Sequence, residues 1–409
     1  MILRIILSIL LSTVYLSPCK EKGNSSPSLR RLRNQFPLSS LTIPEYLKRY
    51  PSLKEIFLEK LGEKNLPYEY LQTGEKFKIL KWYERYFRKK LLPQYSLSEI
   101  ARRLVELFIH DIAFTLTFQE FTQTPPRKIL DLGSGSAEYF RAFAHLFKDF
   151  TALVGIEKEN FWVEAARKNI NDFGLEDLGK YINVLEKDMF FLEEVKIVSD
   201  FQPYDLITLL HPNIFAPAID VFEKEPEDIG LTYQRIILIK KLFQKIAQQI
   251  LAENRKMVIV IDKTYVPEIH PLKEVENNLP SFLPNYLHYV AFVWTLRISG
   301  FSQAMVPATL IFPQHNPLEK TDLKLTGSKE NIIQFIHLLE RIEKVANHFT
   351  VNIALDLFRL TYGERFVGIE VLAHPELEPF LWELLEDYER KEIDKSQLAE
   401  QVYSLLNKK

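Results

Sequence analysis

The sequence predicts an α/β protein built on a doubly wound sheet, preceded by a helical N-terminal region and followed by a small C-terminal α+β module. Three observations carry this expectation. Between residues 127 and 315, short apolar runs bounded by turn residues alternate with amphipathic stretches of helical period. The first run, Ile129-Leu130-Asp131-Leu132, leads directly into the glycine turn Gly133-Ser134-Gly135. Polar residues then stand at the carboxyl ends of the next runs, the edge where open α/β sheets gather ligands.

In chain order, residues 1–28 come first. Arg4 precedes the apolar run Ile5–Leu16, and Cys19 follows it. This reads as a signal peptide or short membrane anchor, with Cys19 as the alternative lipoprotein site, and a start codon set too far upstream as a third reading. The basic residues Lys20, Lys22, Arg30, Arg31 and Arg33 after the run favour an anchor that leaves the body in the cytoplasm, with membrane association through residues 5–19. Cys19 is the single cysteine, which excludes an internal disulfide framework and a cysteine-based zinc site.

Residues 29–126 read as helical, with Glu75–Leu91 and a helix starting at Ser98 as the clearest segments. Residues 20–103 hold 19 Lys+Arg against 9 Asp+Glu, although the whole chain carries a net charge of -2. A basic arm on an acidic body suits nucleic acid or an anionic membrane. The leading reading is plainer: a solvated helical face that pairs with the body. The Lys76–Lys90 stretch interleaves basic residues with Trp82, Tyr83, Tyr86 and Phe87, as RNA-holding or sheet-covering helices both do.

Strands are expected at Lys128–Leu132, Ala152–Glu157, Ile182–Glu186, Asp205–Leu210 and Met257–Asp262. Helices are expected at Ala137–Phe147, Phe161–Phe173, Leu231–Ala252 and Tyr286–Ser299, with Gln303–Phe312 as the last antiparallel strands. From residue 322 to 409 the pattern restarts as a separate module. Leu323–Thr326 reads as strand, Ser328–Asn347 as helix, Thr350–Phe358 and Phe366–Ala373 as a strand pair, and 376–390 and 395–407 as helices.

The glycine turn discriminates between ligands. A dinucleotide fingerprint requires glycine at position 138, but Glu138 stands there and its carboxylate would repel a pyrophosphate at the helix start. A nucleoside without phosphate needs a close backbone approach, a carboxylate for the ribose hydroxyls and a polar group for the adenine edge. All three follow in order: Gly133 to Gly135, Glu157 closing Ala152–Ile156, and Asp188-Met189 after Ile182–Glu186. These segments resemble motifs I, II and III of the class I, Rossmann-like, S-adenosylmethionine-dependent methyltransferases, over about residues 127–312. Val154-Gly-Ile-Glu157 followed by Glu164-Ala-Ala-Arg-Lys-Asn169 is similar to that family's second strand and helix.

The resemblance implies S-adenosylmethionine as cofactor. It puts Gly133 and Gly135 against the methionine portion, Glu157 on the ribose, Asp188 on the adenine amine with the Met189 backbone beside it, and Asp131 positioning the methionine end. Ala137 takes the family's third glycine position, where one added methyl is expected to be tolerated. The fourth strand ends in His211-Pro-Asn213-Ile-Phe215, which the resemblance places facing the methyl acceptor. His211 is a candidate general base and Asn213 a candidate orienting group; strand capping by His211 is the competing role. The tetrapeptide His-Pro-Asn-Ile differs from the Asn-Pro-Pro-aromatic motif of amino-methylating DNA and glutamine enzymes. Ile214–Gly230 reads as a long loop with an acidic run, and the acceptor is unidentified. Two other functions fit the same residues: a non-catalytic binding protein that keeps the fold, and an RNA methyltransferase that uses the basic arm.

Overall fold

The computed structural model describes residues 41–42, 51–63, 78–79, 95–194, 198, 200–215, 228–262, 283–307 and 321–407. The predicted α/β architecture is present. Its strands are β1 (Lys128–Leu132), β2 (Ala152–Glu157), β3 (Tyr181–Glu186), β4 (Tyr204–Leu210), β5 (Leu251–Asp262), β6 (Ser302–Pro307) and β7 (Thr321–Gly327). They form one sheet in the order β3-β2-β1-β4-β5-β7-β6. The first five are mutually parallel, and β7 runs antiparallel to both β5 and β6. The strand order reverses between β1 and β4, which opens a crevice at their carboxyl ends.

Side chains alternate across the sheet with period two, so the central strands supply both cores. Ile129, Leu153, Leu206, Leu210, Val258 and Val260 face one layer. That layer comprises α1 (Pro51–Gly62), α2 (Leu97–Phe118), α3 (Phe140–Leu146) and α4 (Asn160–Phe173). Leu130, Leu132, Val154, Ile156, Ile207, Ile259 and Leu325 face the other. There α5 (Ile229–Lys245), α6 (Leu283–Ile298) and α7 (Lys329–His348) pack. The layer is completed by α8 (Val351–Phe358), α9 (Val367–Leu372), α10 (Glu378–Glu389) and α11 (Lys395–Asn407). Short polar signals set the helix starts: Ser96 and Glu99 form a capping box on α2, two residues before the expected start, and Asp228 accepts from the Leu231 amide at the start of α5.

Several expectations need correction. The segment 321–327 opens no separate module: it is inserted into the main sheet between β5 and β6, and the helices after it share one core with α5 and α6. Thr350–Phe358 and Phe366–Ala373 are not a strand pair; they contain the short helices α8 and α9. Thr350 caps α8 by accepting from the Ile353 amide, and Gly368 lets α9 approach the Leu357 carbonyl closer than a Cβ would allow. An apolar run of this length fits a buried helix as well as a strand. Within the expected Glu75–Leu91 helix, Lys78–Ile79 pair antiparallel with Leu41–Thr42, and the rest of that segment lies outside the described residues. Residues 1–28, the 216–227 part of the acidic loop and 308–320 also lie outside them. No helix among the described residues is long and apolar enough to cross a membrane.

Two polar contacts fasten α2, one to α3 and one to the sheet. The Arg141 guanidinium on α3 donates Nε to both carboxylate oxygens of Asp111 on α2 at 2.9 and 3.0 Å, and Nη2 to Oδ1 at 2.6 Å. Arg141 Nη2 also meets His110 Nδ1 at 3.1 Å. At the far end of α2, Lys324 Nζ of β7 donates to the Thr117 carbonyl at 2.8 Å and to Glu120 Oε2 at 2.7 Å. A cation on the last turn of a helix also complements its dipole.

Candidate functional site at the carboxyl ends of β1, β2, β3 and β4

The turn after β1 is built for close approach. Gly133 (φ 71) and Gly135 (φ 52) occupy the left-handed region that glycine enters without strain. The Gly133 and Ser134 amides both donate to the Ile156 carbonyl, at 2.8 and 3.0 Å, so the turn lies clamped over β2. Gly155 beneath it has no room for a side chain: an added Cβ would sit 2.6 Å from Ser134 Oγ and 2.9 Å from Phe140 Cζ. Gly155→Ala is therefore expected to lower stability by about 1–3 kcal/mol, as overpacked sites do, measured by urea denaturation of the full chain. Ala137 is also left-handed (φ 55) and buried. The missing third glycine thus carries backbone strain as well as an extra methyl.

Asp131 lies under the turn, 1 % exposed. Its register partners are Gly155 on β2 and Thr208 on β4. Thr208 Oγ1 donates to its Oδ1 at 2.7 Å, whereas Oδ2 and the nearby Ser134 Oγ are buried without a hydrogen-bond partner among the described residues. Burial pushes the Asp131 carboxyl up to about 7; the Thr208 hydroxyl opposes the rise and the Glu157 charge adds to it. Glu157 ends β2 with both oxygens on the backbone. Oε2 accepts from the Gly135 amide at 2.9 Å and Oε1 from the Glu159 amide at 3.0 Å.

Asp188 follows β3, accepting from the Phe190 amide at 3.0 Å and pairing with Lys158 at 3.3 Å. The Met189 side chain reaches back over the turn, its Cε 3.3 Å from where a Gly133 Cβ would stand. Arg235 of α5 approaches the Phe190 ring at 5.8 Å; burial lowers its pKa from the ordinary value, and Asp188 works against that.

Across the switch point, His211 follows β4 with a left-handed backbone (φ 50). Its amide donates to the Val260 carbonyl at 2.7 Å, and its Nε2 lies 3.2 Å from Asp322 Oδ2 of β7. The Tyr289 hydroxyl donates to the Pro212 carbonyl at 3.2 Å, holding the start of the following loop. Asn213 opens a 3-10 turn, and its side chain lies outside the described residues.

Asp131, Gly133, Gly135, Glu157 and Met189 are thus gathered around one turn, with Asp188 at the next strand end. His211 stands apart, beyond β4. Thr208, Arg235 and Asp322 were not foreseen. Thr208 and Asp322 acquire partners only through strand pairing, and nothing in the local sequence around Arg235 signals its place beside the β3 loop.

No family model matches the chain, and no curated protein matches it. Solved structures do align with part of it. An O-methyltransferase family protein from Burkholderia thailandensis is 13 % identical over 57 % of this chain and 59 % of its own, with a TM-score of 0.34. The chain therefore spans about six-tenths of that protein's length. A putative caffeoyl-CoA O-methyltransferase from Staphylococcus aureus is 12 % identical over 53 % of this chain and 83 % of its own, TM-score 0.33. The methyltransferase domain of a bacterial CtHen1-C is 13 % identical over 54 % and 98 %, TM-score 0.34. These likenesses concern the fold alone. With its strand order and antiparallel β7, the chain has the Rossmann-like fold of the class I, S-adenosylmethionine-dependent methyltransferases.

Proposed function

We propose that this protein is an S-adenosylmethionine-dependent methyltransferase that transfers a methyl group to an acceptor bound beside His211. One observation carries the reading: a clamped glycine turn over a buried carboxyl whose Oδ2 has no partner among the described residues. A buried acceptor left without a donor is costly, and a ligand ammonium entering under the turn would satisfy it. The residues fit the cofactor. Gly133 and Gly135 admit its methionine portion, Glu157 is placed to accept from ribose hydroxyls, and Asp188 with the Met189 backbone borders the adenine edge. When bound, the cofactor supplies an electrophilic methyl group on a positively charged sulfur. The protein's part is to align the acceptor with that methyl and to exclude water. His211 and Asn213 stand on the acceptor side.

Calorimetry with S-adenosylhomocysteine tests this directly. The wild-type chain is expected to bind, and Glu157→Ala to weaken binding about 10- to 100-fold, since charged hydrogen bonds contribute about 1.5–3 kcal/mol. Absence of binding to the wild type would leave a methyltransferase fold without its ligand and overturn the proposal.

A further inference from the structure

We propose that α5, α6 and the turn after α8 form a binding site for a small oxyanion, a phosphate or carboxylate group, held by Thr232, Arg235, His288 and Arg359. The site goes beyond the methyltransferase reading and does not depend on it.

Two buried polar side chains point to a ligand. His288 on α6 is 0 % exposed, and both of its ring nitrogens lack a hydrogen-bond partner among the described residues. Its ring makes edge contacts with Phe292 and Phe358, at 5.1 and 5.5 Å between centroids. Thr232 on α5 is equally buried, and its Oγ1 also lacks a partner among the described residues. Other buried helical threonines behave differently: Thr117 and Thr295 donate to the carbonyls of Ala113 and Ala291, four residues back, at 2.9 and 2.7 Å. A buried polar group left without a partner is costly, and such groups are rare unless a water, an ion or a ligand satisfies them.

The charge around these side chains selects an anion. Burial, reinforced by the Arg359 and Arg235 charges, holds the His288 pKa well below its ordinary value, so the ring is neutral and offers one N–H. Arg359 follows α8 and is buried, with Nε donating to the Leu355 carbonyl at 3.2 Å. Arg235 lies one turn after Thr232, on the same face of α5. Asp188, the carboxylate that bears on Arg235, is already paired with Lys158 at 3.3 Å. Two guanidinium groups repel a cation and attract an oxyanion, whose geometry their forked N–H donors match. The Thr232 hydroxyl and the His288 N–H add neutral donors.

The site adjoins the loops at the carboxyl ends of the strands. α5 packs against the turns at Met189–Glu194 and Asn213–Phe215 and against α8. Arg235 meets the Phe190 ring at 5.8 Å. On α6, Tyr289 donates to the Pro212 carbonyl at 3.2 Å, and Phe292 stacks on Phe215 with centroids 5.3 Å apart. His288 therefore stands within about one helical turn of both residues that hold the loop after β4. This is the edge at which open α/β sheets bind ligands.

The test is titration of the full-length protein, without the cofactor, with inorganic phosphate, acetate and chloride at equal ionic strength. Calorimetry is expected to show binding of phosphate or acetate and none of chloride, and the oxyanion that binds more tightly identifies the class. With 15N-labelled histidine, the ring resonances absent from His288→Met are expected to shift on addition of that oxyanion. Arg235→Gln should weaken binding about 10- to 100-fold, as loss of a charged hydrogen bond does. Thr232→Val removes the unpartnered hydroxyl, so it is expected to melt no lower than the wild type and yet to bind about 3- to 10-fold more weakly. A folded wild type that binds neither oxyanion would overturn the site. So would binding that chloride matches, that leaves the His288 resonances unmoved, or that neither Arg235→Gln nor Thr232→Val weakens. A Thr232→Val protein that melts lower would show that the hydroxyl already has a partner, and would remove Thr232 from the site.

Discussion

Arg141→Leu is expected to destabilise the protein by about 3–5 kcal/mol, because it strands a carboxylate in the interior. Asp111 is fully buried, and it is engaged by both Nε and Nη2 of Arg141. Burial alone would push the Asp111 carboxyl up; the Arg141 guanidinium outweighs this and holds it below its ordinary value. The imidazole of His110 accepts from the same guanidinium and stacks on Tyr139 with ring centroids 5.0 Å apart. The double variant Asp111→Leu, Arg141→Met is expected to recover most of the loss, since an apolar pair of similar volume avoids the desolvation that the ion pair must overcome. Urea denaturation of the two variants and the wild type checks both statements. A double variant as unstable as Arg141→Leu would mean that shape, not charge, decides this site.

The second large effect concerns pH. Asp131 is expected to make the ligand-free protein less stable as pH rises from about 4 to about 7, opposite to the usual acid denaturation. Its folded carboxyl titrates near 7 because it is buried, while the unfolded value is about 3.9. Between those values the native state binds more protons than the unfolded chain. Stability contributed by the protonated group is therefore complete below the lower value and lost on passing through the upper one. About three units correspond to roughly 4 kcal/mol. Asp131→Asn cannot ionise, so it should exceed the wild type in stability by up to roughly that amount near pH 8, and match it near pH 4. Thermal melts of both proteins across this range decide it; parallel curves would show that Asp131 does not titrate there. The same substitution should weaken S-adenosylhomocysteine binding, so the residue would trade stability for a ligand contact.

Most of the sheet was legible because its strands are short apolar runs ending in turn residues. β1 to β4 start within one residue of where the periodicity placed them, and Gly133, Gly135, Glu157 and Asp188 stand at the expected strand ends. β5 starts at Leu251 rather than the expected Met257 and takes the end of the expected Leu231–Ala252 helix. Those ends are local features, set by a glycine turn or a strand terminus a few residues away. Asp322 was hidden for the opposite reason. Consecutive strands usually neighbour one another, which suggests β6 beside β5. Instead β7 takes that place, and only this insertion brings Asp322 to His211. Thr208 was hidden likewise, because the register Asp131↔Thr208 joins residues far apart in the chain. The strand pair expected at 350–373 failed because the runs are only six to eight residues of mostly apolar chain, a length over which periodicity does not separate a strand from a buried helix.

That insertion also dictates how the chain must be made. Among the described residues β6 pairs only with β7, so when Pro307 leaves the ribosome its strand has no seat in the sheet and β5 presents an open edge. The Lys324 contacts to Thr117 and Glu120 join residues 207 and 204 positions apart, so α2 also waits for the same late segment. A nascent chain stopped before residue 321 would expose an unpaired apolar edge, a template for aggregation. Truncations placed just upstream of β7 are therefore the ones a cell would find hardest to keep in solution.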